Sequence, residues 1–283
     1  MVRSRGSCLQ AEGFPGPERA ERGSLSSITV GAFLLRLSRS HGLFFLLFLI
    51  PLGLTIACQT VSVPGRTVNF AKRTWDIVES AEPIGPGPNR FSSENVSVDS
   101  RGFLVLETRR VGAGSTSASL FLSTSLGYGR YAIEIEPMDG GLDDRTVFGF
   151  YTWDVDTAYA NREIDIELSR WGMADRPLLT FSVQPTVAMP EREAIFDLDP
   201  SAPMLLSFDW RPSELGFISL VAGRESRWTF PGAQSRAVGD PPFLVPPRGN
   251  ERVGLNLWLY EGVAPGRYDR VVVRDFSFTP FEP

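Results

Sequence analysis

Imidazole is all but absent from this 283-residue chain: its one histidine, His41, stands in an N-terminal stretch that reads as a leader. The body beyond it therefore has no Ser-His-Asp triad, no Cys-His pair, no His-ligated zinc and no histidine base. Cysteine is as scarce, with only Cys8 and Cys58, both ahead of the body, so no internal disulfide framework is available there. Lys/Arg clusters of the kind that track phosphates are missing too, and the net charge of −5 argues against nucleic acid as a partner. Nothing repeats with a long helical period, because Gly and Pro are scattered too evenly for helices of about ten residues or more. Acid–base chemistry is left to Asp, Glu, Lys and Tyr.

What is present begins with an apolar run, Leu43 to Ala57. It falls short of the roughly 20 residues of a membrane span. Arg36 and Arg39 precede it and small residues close it, which is the layout of a signal-peptide core. Thr55-Ile56-Ala57-Cys58 resembles a bacterial lipobox, implying lipid attachment at Cys58 and cleavage before it. The plainer reading is a signal peptide with an incidental cysteine. Either way the chain is expected to be exported to the cell envelope, touching the membrane only through a lipid anchor or the signal peptide. The Pro/Gly/Arg-rich prefix ahead of the run receives no structure. The expected division is 1–57 as extension and signal peptide, 58–67 as tether, and 68–283 as a single domain.

From about Val68 the texture is uniform, with short β-prone runs separated by Gly, Pro, Asn and Asp. The runs are Phe103 to Leu106, Tyr131 to Glu136, Thr146 to Trp153, Glu163 to Leu168, Leu178 to Val183, Met204 to Trp210, Phe217 to Val221, Arg252 to Leu259 and Arg270 to Phe278. This predicts an all-β antiparallel sandwich or barrel. Two runs alternate strictly, Ala132 to Glu136 and Glu163 to Glu167, with isoleucines for the core and carboxylates for the outer face.

Glu163, Asp165 and Glu167 share one strand face. Like charges so close raise at least one pKa. Glycoside hydrolysis uses such a split, with one carboxylate ionised to attack the anomeric carbon and one carboxylic acid protonated to expel the leaving group. On a flat strand the two Glu Cα atoms lie about 13 Å apart. A retaining pair needs its carboxyl groups about 5–5.5 Å apart. The pattern therefore works only on the hollow face of a curved sheet. Taken by itself, E-x-D-x-E is more often a solvated strand face.

The surroundings of the acids carry more. Phe70 to Trp75, Tyr128-Gly129-Arg130-Tyr131, Phe148 to Thr152, Glu163 to Glu167, Ser207 to Pro212 and Asn256-Leu257-Trp258 follow one another in an order that resembles the family 16 glycoside hydrolases, of the lichenase and laminarinase type. The resemblance runs from about Phe70 to Phe278. It implies a concanavalin-like jelly roll with a concave substrate cleft, Glu163 as nucleophile, Asp165 as helper and Glu167 as acid/base. It also implies Trp258 and Asn256 in the sugar cleft, though inter-sheet packing is nearly as good an account of Trp258. Trp153 and Trp171, whose loops flank the acidic strand, and Gln184 on the strand that follows are further candidate sugar contacts, and Tyr159 lies in the same loop as Trp153.

Some positions depart from the lichenase pattern. Ala132 and Glu134 stand where a Glu and an Arg are expected, Ser182 and Gln184 where an Asn and a Tyr are expected, and Asn161 and Arg162 precede the first acid. Arg162 and Arg170 are candidates to pair with the acids or bind sugar hydroxyls, with solvated surface arginines as the plainer reading. The expected activity is retaining, endo-acting hydrolysis or transglycosylation of a β-linked polysaccharide, by a monomer that needs no cofactor and has no assigned metal. The alternative is a non-catalytic carbohydrate-binding surface lipoprotein of the same fold.

Overall fold

The computed structural model describes residues 65–156, 163–186, 189–230 and 245–281. The leader, the proposed lipidation site Cys58, Tyr159, Asn161 and Arg162 lie outside the described residues.

Two large antiparallel sheets form the domain. One has eight strands in the order β1 (Thr67–Phe70), β2 (Arg73–Ile77), β7 (Ala118–Leu122), β16 (Arg252–Leu259), β9 (Thr146–Trp153), β10 (Ile164–Leu168), β11 (Leu179–Val183) and β12 (Glu193–Phe196). The other has seven, in the order β15 (Arg224–Thr229), β14 (Leu215–Val221), β13 (Met204–Trp210), β8 (Gly129–Ile135), β17 (Arg270–Pro280), β4 (Leu104–Glu107) and β3 (Val96–Val98). A small hairpin, β5 (Arg109–Val111) and β6 (Gly114–Thr116), stands apart from both.

Period-two patterning explains how the sheets meet. From the eight-stranded sheet, Leu120, Phe148, Phe150, Ile164, Ile166, Leu168, Phe181, Leu255 and Leu257 point inward and are buried. From the seven-stranded sheet, Leu106, Ile133, Ile135, Leu206, Phe208, Phe217, Val271 and Phe276 meet them. Rings interlock across the gap: Phe150 lies 5.4 Å from Phe208, and Phe181 stacks on Phe217 at 5.1 Å. Each such side chain contributes about 1.5–3 kcal/mol by leaving water. Trp75 and Trp210 are fully buried and Trp228 stacks on Phe217 at 5.2 Å, so these three are packing residues.

Two expectations need correction. The resemblance implies that Phe70 to Trp75 is the family's opening strand, but it does not form one strand. The chain reverses at Ala71 (φ 51°) and Lys72 (φ 58°), and β1 and β2 pair as a hairpin. Such a two-residue turn normally advertises itself with Asn-Gly, because both residues need positive φ. Ala-Lys gives no such signal. The second correction concerns Ala132 and Glu134. They lie on β8, in the sheet that does not carry the acids, and face away from the core. Departures from the lichenase pattern at those two positions therefore do not alter the face that bears the acids.

Candidate active site

The site is built on β10, with β9 on one side and β11 on the other. Ile164, Ile166 and Leu168 anchor β10 in the core. Alternation then forces Glu163, Asp165 and Glu167 onto the opposite, outer face. Register fills in the neighbours. Asp165 stands beside Tyr151 of β9 and Ser182 of β11; Glu167 stands beside Gly149 and Thr180. One strand further, Asn256 of β16 faces Gly149 and Ser119 of β7 faces Asn256. On the other flank Glu193 of β12 adjoins Ser182. This outer face is polar yet recessed, with Asp165, Ser119, Thr180, Ser182 and Asn256 all buried. Glu163 and Glu167 remain partly exposed above them.

Asp165 is held from one side. Ser182 Oγ donates to its Oδ2 at 3.0 Å and Gln184 Nε2 donates to the same oxygen at 3.1 Å. The amide of Gln184 has a fixed sense, because its Oε1 accepts from the Thr186 N–H at 3.2 Å. Arg192 secures the backbone beneath, donating to the carbonyls of Val183 (2.8 Å) and Gln184 (2.7 Å). Glu163 completes the set through a hydrogen bond shared with Asp165. Thus Ser182 and Gln184 orient the central acid.

All three acids are displaced toward the protonated form. Burial drives Asp165 up to about 7, against the hydrogen bonds from Gln184, Ser182 and Glu163 that favour its charge. Burial also pushes Glu163 well up, helped by the charges of Asp165 and Glu167 and by the hydrogen bond to Asp165. Glu167 rises through burial and the charge of Asp165; Arg176 opposes this and Glu193 adds to it. Among the described residues no salt bridge neutralises any of the three. Three acids that cannot all ionise together share protons, the state acid–base catalysis draws on.

Sequence reasoning missed several residues on this face. Tyr151 lies directly across from Asp165; burial raises its pKa, with Ser119 and Asn256 hydrogen-bonding at its hydroxyl. Gly149 and Gly254 keep the floor open, since a Cβ at Gly149 would lie 2.5 Å from Asn256 Oδ1. Arg176 supplies the cation nearest in effect to Glu167, whereas Arg170 donates to the Arg176 carbonyl and sits 3.8 Å from Asp144. The signal that could have found Tyr151 is alternation within Thr146 to Trp153, which puts Val147, Gly149, Tyr151 and Trp153 on one face.

The aromatic candidates divide. Trp153 is exposed at the end of β9, beside Arg252. Trp258 lies on the acids' side of the sheet, not between the sheets, in a second cluster with Phe91 and Val147. Trp171 meets Trp258 edge-on at 5.9 Å and Tyr260 at 5.5 Å. Asn256 neighbours Tyr151 and offers its Oδ1 without a partner.

Fold and acid row together define the class of architecture: a concanavalin-like jelly roll with a carboxylate-lined outer face, the fold of the family 16 β-glucanases. Among solved structures, a Bacillus licheniformis β-glucanase matches at TM-score 0.51 with 19% identity, over 75% of this chain and 99% of that one. The family 16 protein of the Bacteroides ovatus mixed-linkage glucan system, solved with product, matches at TM-score 0.52 with 15% identity, over 76% and 99%. An immunostimulatory antigen and pseudo β-1,3-glucanase of Mycobacterium tuberculosis matches at TM-score 0.54 with 19% identity, over 71% and 88%. No family model and no curated protein matches the sequence.

Proposed function

We propose that this protein is a retaining, endo-acting glycoside hydrolase or transglycosylase of a β-linked polysaccharide. The observation that carries the reading is the acid row itself: Glu163, Asp165 and Glu167 on one recessed face, without a salt bridge among the described residues, and with the central acid fixed by Ser182 and Gln184.

The chemistry follows from that arrangement. Glu163 holds the proton of its hydrogen bond to Asp165; passing that proton to Asp165, whose pKa is raised to about 7, leaves Glu163 ionised for attack. A Glu163 oxygen attacks the anomeric carbon while the glycosidic C–O bond breaks, and its electron pair takes the proton of Glu167. Glu167, now a carboxylate, removes a proton from water or from an acceptor sugar hydroxyl. That oxygen bonds to the anomeric carbon, the bond to Glu163 breaks, and the configuration is restored. Fold similarity to β-glucanases supports a glucan as substrate class.

A second reading, glycan binding without turnover, draws on one observation. Trp258 is only 6% exposed beneath its aromatic neighbours, so its indole face is not open to a sugar. One similar structure is that of a pseudo β-1,3-glucanase. The deciding experiment is a panel of β-1,3-, β-1,4- and mixed-linkage glucans, galactan and xyloglucan with reducing-sugar detection, using the native chain and Glu163→Gln. Sugar release by the native chain, lost in the variant with binding retained, supports the enzyme. Binding without release by the native chain supports the second reading. Export and anchoring through Cys58 belong to the same proposal; Cys58→Ser should move the protein from the membrane fraction to the soluble one.

A further inference from the structure

Each outermost strand of an open sheet keeps one row of backbone N–H and C=O groups without a partner. The two large sheets end in β1 and β12 and in β15 and β3. Three of these are short, with four residues in β1, four in β12 and three in β3. The fourth, β15, runs for six residues without a proline or a bulge. Among the described residues no strand pairs with its outer side. The hairpin that makes β15 fixes which groups that side presents. Ala222 (φ 49°) and Gly223 (φ 78°) form a two-residue turn, so the closing pair Val221–Arg224 exchanges both hydrogen bonds, and Ser219–Ser226 and Phe217–Trp228 follow in phase. Phe230 keeps that phase, donating its N–H to the Leu215 carbonyl at 2.8 Å. The N–H and C=O groups of Glu225, Arg227 and Thr229 therefore point away from β14.

The side chains of those residues share the outer face of the sheet, opposite Leu220, Ile218 and Gly216. Glu225 and Arg227 pair along the strand at 3.0 Å and stay 50% and 60% exposed. Their signs select how a second β15 fits against the first. An antiparallel copy centred on Glu225 opposes Glu225 to Glu225, and one centred on Arg227 opposes Arg227 to Arg227; like charges directly opposite destabilise a sheet. Centred on Ser226, the copy sets each Glu225 against the other's Arg227. The four charges then form a square in which every neighbour has the opposite sign. The same two Glu225–Arg227 pairs are the ones whose free backbone groups meet, and Arg224 comes opposite the other copy's Trp228 on the inner side. We propose that β15 is a dimerisation edge, pairing antiparallel with β15 of a second copy about a two-fold axis at Ser226 and joining the two seven-stranded sheets into one. Such an axis stands perpendicular to the sheet, so the two acid-bearing faces look to the same side. Two sites then meet one polysaccharide, the second at an effective concentration set by the first. That consequence alone rests on the glycosidase reading; the pairing does not.

Analytical sedimentation of the native chain, without glycan and at up to about 0.1 mM, tests the pairing against Glu225→Arg, Arg227→Glu and the double variant that carries both. The native chain should associate to a dimer and no further, because a two-fold contact uses up the edge. Either single reversal puts like charges opposite and should weaken the dimer by about tenfold or more. The double variant restores the alternation and should return to within about threefold of the native dissociation constant. Arg227→Pro removes an N–H that only a second strand would use, so it should weaken the dimer as well and leave the circular dichroism of the fold unchanged. A native chain that stays monomeric overturns the proposal. A dimer indifferent to the reversals or to Arg227→Pro, or one that the double variant fails to restore, overturns it too. None of these outcomes bears on sugar release, which the polysaccharide panel decides separately.

Discussion

Two strands of this protein carry nearly the same pattern and come to opposite ends. Ala132 to Glu136 and Glu163 to Glu167 both alternate isoleucine with carboxylate, and in both the isoleucines are buried in the core. On the seven-stranded sheet the acids meet cations. Glu136 pairs with Arg101 at 2.9 Å and with Arg274 at 3.4 Å, and at the far end of β8 Asp209 is gripped by Arg130 through two bonds of 2.6 Å. On the eight-stranded sheet the acids meet one another, two hydrogen-bond donors and Tyr151. The strand itself does not decide which acids become chemical. The facing strands do, by supplying or withholding a counter-charge and by leaving or closing the surface.

The comparison breaks most sharply on turnover. Glu163→Gln removes the proposed nucleophile and should lower kcat by about a thousandfold or more, a loss of roughly 4 kcal/mol of transition-state stabilisation. Glu136→Gln should leave kcat within about twofold. Initial rates on the responsive polysaccharide check both, and equal losses in the two variants would put the chemistry elsewhere.

Stability against pH comes next. The folded-state pKa of Asp165, about 7, lies above its ordinary value of 3.8. The folded chain therefore binds more protons than the unfolded one between those limits. Stability is full below pH 4 or so and is lost as the pH rises through about 7. Asp165→Asn should accordingly raise Tm at pH 8 and change it little at pH 4. The gain at pH 8 is on the order of a few kcal/mol, less what the rearranged hydrogen bonds of Ser182 and Gln184 take back. Calorimetric scans at the two pH values read it. A variant less stable at pH 8 would mean that the acid row is not strained by its charge.

Much of this was legible in the sequence, and the parts that were not share a cause. Thr146 to Trp153, Met204 to Trp210 and Arg252 to Leu259 were readable to the residue because hydrophobic alternation marks both their ends. The acid row was readable as a face. Its setting was not, since strand order is a non-local property: nothing local announces that β16, over ninety residues downstream, lies beside β9. The Ala71–Lys72 hairpin was hidden because its turn uses residues that do not favour positive φ. Ala132 and Glu134 were matched to the lichenase pattern by sequence position, and the sheet order puts them on the sheet that does not carry the acids.

Gly254 sharpens the contrast at the level of packing. Its missing side chain makes room for two stiff rings, Tyr151 and Phe121, at 2.6 and 2.8 Å from where a Cβ would stand. Gly254→Ala should cost about 1–3 kcal/mol, the usual range for overpacking, seen as a lower denaturation midpoint. Because the displaced rings line the acids' face, KM should rise as well. Gly216 on the other sheet meets nothing within 4 Å, so Gly216→Ala should leave stability nearly unaltered.

The smallest expected effect returns to Glu136. Its partner Arg101 is half exposed and its own side chain is 26% exposed, so water and salt screen the pair. Exposed pairs of this kind contribute about 0–1 kcal/mol. Glu136→Gln should therefore lower stability by no more than that, and the loss should fade as salt is added. Asp165→Asn has the opposite sign at pH 8 and is insensitive to salt, because its destabilisation comes from burial. Denaturant midpoints for the two variants at low and high salt separate these causes. If added salt moved both variants alike, the acids beside Tyr151 would be as solvated as those on the seven-stranded sheet, and the contrast drawn between the two faces would fail.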